Sequence, residues 1–333
     1  MKIGYFSLTS QGRALAHQLN EKRAGIIFEK ENFKSNVEAA WETCDALVFI
    51  MAAGIVVRTI APLVRKKTLD PAVVVMDQKG AFAISLLSGH LGGANALAVE
   101  MAKISRGLPV ITTATDVEGV LAFDIFAQEN DLEIINIEAM KYISNAMVEN
   151  RRVDLVTGLE INGQLPKNLF RMGKPGINPA VTVGYRKPEG IREGTPVLEL
   201  ASRQLVLGIG CKRDRDPEDI LDAFRDFVRS ERIYTASICR IATIELKKDE
   251  PGILNLARQL DVPVVIVDED AINDLESERI VETSDFVRKV TGVGSVSEAS
   301  AYVASGCGEL LKGKTKYKGI TFALAIEKKV LRI

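Results

Sequence analysis

What most constrains this chain is a pattern repeated through its first 130 residues: an apolar run, a turn rich in glycine or hydroxyls, then an amphipathic stretch. "KIGYFSL" leads through "TSQG" into "RALAHQLNEK", and "DALVFI" leads through "MAAG" into "IVVRTIAPLVRK". "AFAISLL" leads through "SGHLGG" into "ANALAVEMAKIS", and "LPVIT" runs into "TATD" and "VEGVLAFDIFAQ". Continuous apolar runs of this length read as strands buried on both faces, and their alternation with helices predicts an α/β fold. The sheet should be mostly parallel, right-handedly wound and covered by helices on both faces. "AVVVM" and "AFAISLL" flank "DQKG" and read as a hairpin-like pair or two adjacent strands. Ligands of such sheets bind outside the carboxyl ends of the strands. "TSQG", "MAAG", "SGHLGG" and "TTATD" all fall at such ends.

The texture changes near residue 131. Residues 131–204 are dense in Gly and Pro with short β-like runs, which predicts a small middle segment that serves partly as connector. Residues 205–333 return to the α/β pattern, with strands at "QLVLGIGC", "ICRIATIEL", "VPVVIV" and "GITFALAI". Helices are expected at "DPEDILDAFRDFVRSE", with Asp216 as N-cap and Pro217 at N1, at "EPGILNLARQL", and in "VGSVSEASAYVAS" after a glycine turn. The expected division is an α/β domain over 1–130, the middle segment, and a second α/β domain over 205–333.

The charge balance argues against nonspecific nucleic-acid binding. Lys and Arg number 43 against 44 Asp and Glu, a net charge of −1, so no global field draws the chain to nucleic acid and an acidic ligand must be met by local groups. No apolar run approaches a membrane span, and the amino terminus enters a strand pattern rather than a signal peptide. Cys44, Cys211, Cys239 and Cys307 form no CxxC, and with only His17 and His90 available no protein-held metal site is expected. A cytoplasmic protein with reduced thiols is the expectation.

Two nucleotide signatures fail on context. "GELLKGKT", Gly308 to Thr315, has the P-loop spelling, but a turn and a strand pattern follow where a phosphate-binding helix is required. "GVGSVS", from Gly292, has Ser297 where the third glycine of a dinucleotide fingerprint belongs. "SGHLGGAN" is the stronger motif. Gly92 and Gly93 just before a helix would leave its first amides open for a carboxylate or phosphate, Ser88 and Asn95 can cap or donate, and His90 can exchange a proton near neutral pH. The plainer alternative is a tight strand-to-helix turn in which His90 satisfies a backbone carbonyl. In "VITTATD", Thr112, Thr113 and Thr115 can bind polar groups and Asp116 can act as a base, unless Thr115 or Asp116 caps the next helix. Arg58 in "AAGIVVR" can clamp a carboxylate, or lie on the surface. "GIGCKR" and "IELKKDE" put Lys212, Arg213, Lys247 and Lys248 at strand ends beside Glu245 and Glu250, where a solvated face is the usual outcome. Cys211 has no His near it in sequence to make it a nucleophile.

Together "GIVVRTIAPLVRKKTLDPAVVVMDQKGAFAISLLSGHLGGANALA" and "PVITTATD" resemble the N-terminal region of the CbiG family, the cobalt-precorrin-5A hydrolases of cobalamin biosynthesis. "LVLGIGCKR", "IATIELKKDEPGI" and "GVGSVSEASA" resemble its C-terminal domain in the expected order, so the resemblance covers nearly the whole chain. It implies hydrolysis of a ring-contracted cobalt macrocycle, with opening of a δ-lactone by water and loss of a two-carbon fragment as acetaldehyde. The cobalt then enters with the substrate and no cofactor is expected. His90 and Asp116 are the expected proton-transfer residues. Substrate contacts are expected from Gly54, Arg58, Ser88, Gly89, Gly92, Gly93, Asn95, Thr112, Thr113 and Thr115, and from Gly210, Lys212, Lys247, Glu250, Ser295 and Ser297. The corrinoid substrate is the expected partner, other enzymes handling corrinoids and further copies of the chain being left open, with neither nucleic acid nor membrane. Two other readings remain at this point: a non-catalytic corrinoid carrier, and a phosphate-binding enzyme acting on sugars or nucleotides.

Overall fold

A computed structural model of the protein describes residues 1–66, 69–90, 92–268, 270–272 and 296–333. These form two compact units, Met1–Ile125 and Phe126–Ile333, in a mixed α/β fold. The first unit is a six-stranded sheet in the order β2-β1-β3-β4-β5-β6. Its strands are β1 (Ile3–Ser7), β2 (Ile26–Ile27), β3 (Ala46–Ile50), β4 (Ala72–Met76), β5 (Phe82–Leu87) and β6 (Leu108–Val110). Helices α1 (Ser10–Lys22), α2 (Phe33–Thr43), α3 (Ala53–Ile60) and α4 (Ala94–Ser105) connect them.

Side-chain alternation along each strand feeds two cores. On one face Tyr5, Val48 and Val74 pack with Leu15 and Leu19 of α1 and Leu97 and Met101 of α4. On the other, Phe6, Leu47 and Phe49 pack with Val37 and Trp41 of α2 and Val56 and Ile60 of α3. Helix α3 stops at Ile60, shorter than its apolar pattern, because Pro62 cannot continue the hydrogen-bond ladder.

Strand direction decides where the site lies. β1, β3 and β4 are mutually parallel, the "DQKG" hairpin reverses the chain so that β5 runs antiparallel to β4, and β6 runs parallel to β5. The carboxyl ends of β5 and β6 therefore lie at the opposite edge of the sheet from those of β1 and β3. The four motif turns split accordingly, "TSQG" and "MAAG" at one edge and "SGHLGG" and "TTATD" at the other.

After β6 the pattern "VEGVLAFDIFAQ" is not one helix. A single turn, α5 (Ala114–Val117), ends before Gly119 at φ +59°, and α6 (Phe123–Glu129) begins after a break. The short β-like runs of the middle segment are the strands of a five-stranded sheet. Its order is β10-β8-β11-β12-β7, from β7 (Leu132–Ile134), β8 (Val153–Thr157), β10 (Leu169–Met172), β11 (Ala180–Gly184) and β12 (Val197–Ser202), with α7 (Met140–Val148) beside it. This is more than a connector, and "AVTVG" and "VLELAS", buried at nearly every position, supply strands covered on both faces. The last region forms the sheet β15-β14-β13-β17-β16 from β13 (Leu205–Cys211), β14 (Ile238–Ile244), β15 (Val264–Val267), β16 (Glu309–Tyr317) and β17 (Ile320–Ile326). Helices α8 (Pro217–Glu231), α9 (Pro251–Leu260) and α10 (Ser297–Ala304) accompany it. Asp216 caps α8 through the amide of Glu218, and Pro217 occupies its first turn. A separate short sheet pairs β9 (Glu160–Asn162) of the middle segment with β18 (Val330–Arg332).

Candidate active site at the ends of β5 and β6

β5 and β6 pair in register from Phe82–Leu108 to Ile84–Val110, so the turns that leave them are neighbours. This brings "SGHLGGAN" and "TTATD" together around His90. Its Nε2 lies 2.6 Å from Oδ2 of Asp116, and its Nδ1 lies 3.2 Å from Oδ2 of Asp124. The hydroxyl of Thr115 is 3.2 Å from Nε2. Asn95 Nδ2 donates to the same Asp116 oxygen at 2.9 Å and to Thr113 Oγ1 at 3.2 Å, while its Oδ1 accepts from Ser85 at 2.6 Å. Side-chain exposure grades along the line: 11% for Asp124, 13% for His90 and 33% for Asp116.

The ionisation follows from these contacts. The bond to Asp124 is the largest influence on His90; burial opposes it, Asp116 adds to it, and the imidazole is pushed up to about 9. Burial raises Asp124, but the bond and charge of His90 and the amide of Ile125 outweigh it and hold the carboxyl below its ordinary range. At neutral pH the ring is an imidazolium between two carboxylates, a charge-assisted arrangement. The carboxylates approach opposite nitrogens, so the three groups do not converge on one point. Among the described residues no cluster of three His, Cys, Asp or Glu is placed to hold a metal ion.

The glycine loop differs from the open amide cradle that its spelling predicts. Gly93 donates to His90 O at 2.8 Å, Ala94 to Ser88 O at 3.1 Å and Asn95 to Gly89 O at 2.9 Å. The first two amides of α4 are thus filled by the loop's own carbonyls. The glycines serve close packing: a Cβ on Gly92 would stand 2.4 Å from Ser88 Cβ, and one on Gly89 would stand 2.7 Å from Asn95 Oδ1. Asp116 is likewise no helix cap, since Thr113 holds the N-cap position of α5.

The other expected contact residues lie elsewhere. Thr112 is exposed beside the cluster. Gly54 and Arg58 belong to the opposite edge of the sheet, where Arg58 Nη1 is spent on the carbonyl of Gly54 at 3.0 Å. An apolar hollow of about 540 Å³ lies at that edge, lined by residues including Leu8, Met51, Ile55 and Phe82. Gly210, Lys212, Lys247, Glu250 and Ser297 belong to the second unit. Lys247 Nζ bonds Glu250 Oε1 at 2.8 Å, with both side chains under a tenth exposed, and Glu250 Oε2 accepts the amide of Asp214 at 3.1 Å. Lys212 is exposed, with its amide bonded to Gly319 O. Gly210 O accepts the hydroxyl of Thr321, and Ser297 is fully buried with its carbonyl against Gly208. Cys211 is raised to about 11, first by burial and then by the charge of Glu250, which suits no nucleophile. Ser295 lies outside the described residues. The P-loop spelling falls in β16, paired antiparallel with β17, with no helix after it.

Sequence reasoning missed Asp124 and Ser85. The signal for Asp124 was a lone carboxylate in "LAFDIFAQ", whose neighbours Phe123 and Phe126 are each 1% exposed. A charge in an apolar stretch calls for a buried partner.

Comparison with known proteins reaches the whole chain. Profiles described as Cobalamin synthesis G N-terminal, Cobalamin biosynthesis central region and Cobalamin synthesis G C-terminus match residues 35–116, 121–188 and 205–325. The chain is 35% identical to a cobalt-precorrin-5A hydrolase of Salmonella typhimurium, covering 97% of each, and 31% identical to one of Priestia megaterium, covering 92% of this chain and 85% of that protein. The crystal structure of CobE, a protein from the cobalamin biosynthetic pathway, matches 37% of this chain and 89% of its own at 31% identity, with a TM-score of 0.34. The chain belongs to the cobalamin synthesis G family, CbiG.

Proposed function

We propose that this protein is a cobalt-precorrin-5A hydrolase of cobalamin biosynthesis, and that the proton transfers occur at Asp116 and His90. The reaction is drawn from the relatives of that name. Its placement is carried by one observation: a carboxylate one-third exposed and 2.6 Å from an imidazole nitrogen, at the edge built by the family's N-terminal region.

The chemistry needs an acceptor and a donor in turn. Water adds to the lactone carbonyl and gives a proton to the Asp116 carboxylate, the ring C–O bond breaks, and the alkoxide leaves as an alcohol after taking a proton. Asp116, having passed its proton to that alkoxide, then takes the alcohol's O–H proton as the C=O of acetaldehyde forms. The electron pair of the breaking C–C bond passes to the macrocycle carbon, which is reprotonated. His90 supplies positive charge beside each developing oxyanion and a proton where one is needed. The cobalt is part of the substrate, and no metal held by the protein enters this reading. A carrier would need no such pair, which favours the enzyme over it.

The test is acetaldehyde release from cobalt-precorrin-5A by purified protein. Wild type should turn over, and folded His90→Ala should lose roughly a hundredfold. Corrinoid binding without acetaldehyde release by the wild type would return the carrier reading.

A further inference from the structure

Asp124 belongs to none of the recognised motifs, yet its carboxylate is the more fully engaged of the two beside His90. Its Oδ2 faces His90 Nδ1 at 3.2 Å and its Oδ1 accepts the amide of Ile125 at 3.0 Å, so both oxygens are fixed. Its own helix thereby sets the carboxylate's orientation, and Phe123 beside it is buried. Asp116 is held differently: His90 and Asn95 both reach Oδ2, and neither uses Oδ1.

We propose that Asp124 is a positioning residue, anchoring His90 through Nδ1 so that the ring presents Nε2–H to Asp116. A neutral imidazole has one N–H and one lone pair, whereas two carboxylates offer only acceptors. Both contacts are satisfied together only when each ring nitrogen carries a proton. The inner carboxylate holds the ring in that form and in one orientation, and the outer one is left to meet the substrate. The ionised groups that act on His90 are Asp124 from α6 and Asp116 from α5. The inference rests on the reading of Asp116 and His90 as the proton-transfer pair, but its anchoring half can be tested without turnover.

The chain has two histidines, so its imidazole NMR spectrum holds two sets of ring signals, and exposed His17 is an internal control. In wild type at pH 7, both ring nitrogens of His90 should be protonated, with a titration midpoint well above the ordinary imidazole value. In Asp124→Asn the His90 midpoint should fall by about one pH unit or more, with His17 unmoved. Turnover should fall about tenfold with KM little changed, the alkaline limb of the pH profile should move to lower pH, and Asp124→Glu should restore part of both. A neutral His90 ring in wild type at pH 7 overturns the proposal and needs no variant to fold. So does a wild-type midpoint in folded Asp124→Asn. A lowered midpoint combined with full turnover in His90→Ala leaves the anchor standing and removes the proton-transfer reading instead.

Discussion

At the ends of β5 and β6, Asp124, His90 and Asp116 run from a buried carboxylate to one that is a third exposed. At the ends of β13 and β14, Lys247 and Glu250 close on each other, and the amide of Asp214 takes the remaining Glu250 oxygen. Both groups sit where an α/β sheet binds ligands, and in sequence both read as charged residues after a strand. They differ in whether the charge is used up. The sealed pair, with exposed Arg213 Nε 3.9 Å from the same Glu250 oxygen, holds two turns together. A graded line keeps a titrating ring buried and leaves one carboxylate within reach of a substrate. Position at a strand end is therefore not enough to mark chemistry; incomplete internal satisfaction beside a titratable group is the better sign.

The largest effect should come from opening the sealed pair. Glu250→Gln strands the Lys247 ammonium in a site where it is under a tenth exposed, and should cost about 3 kcal/mol in a denaturant melt. A loss under half of that would mean water already reaches the pair.

The open cluster makes a pH prediction of comparable size and definite sign. The folded-state pKa of His90, about 9, exceeds the ordinary value near 6.5, so its contribution is fully present below about pH 6.5 and is lost as pH rises through 9. Wild type should exceed His90→Gln by about 3 kcal/mol at pH 6, and the gap should close by pH 10. A gap that grows with pH would reverse the assignment. The smallest effect is expected at Lys314. Its residue lies in a β-strand rather than a phosphate loop, so Lys314→Ala should leave turnover within about twofold, and calorimetry should detect no ATP binding to either protein.

Much of this was legible in the chain. Strand and helix periods gave the α/β layers, and the apolar "LPVIT" and "AFAISLL" placed the two motif turns at strand ends. Which edge each turn occupied was not legible, because that depends on whether "DQKG" joins antiparallel strands, and the spelling allowed either a hairpin or two adjacent strands. Arg58 and Gly54 therefore look in sequence like neighbours of His90, although they lie at the opposite edge. The glycines of "SGHLGGAN" spell a bare backbone open to a ligand, whereas the loop's own carbonyls reach the amides of Ala94 and Asn95, a return path that spelling does not encode. Asp124 was hidden by distance. It lies 34 residues beyond its partner His90, and only the break between α5 and α6 turns it toward the ring.

Under the proposed function the open cluster carries the reaction and the sealed pair carries the scaffold. The most direct test of this division is acetaldehyde release measured side by side for folded Asp116→Asn and Glu250→Gln, with turnover expressed per folded molecule. A loss of tenfold or more is expected for Asp116→Asn, with turnover near wild type for Glu250→Gln. Near-normal turnover in Asp116→Asn, with the loss falling on Glu250→Gln, would contradict it and move the chemistry to the second unit.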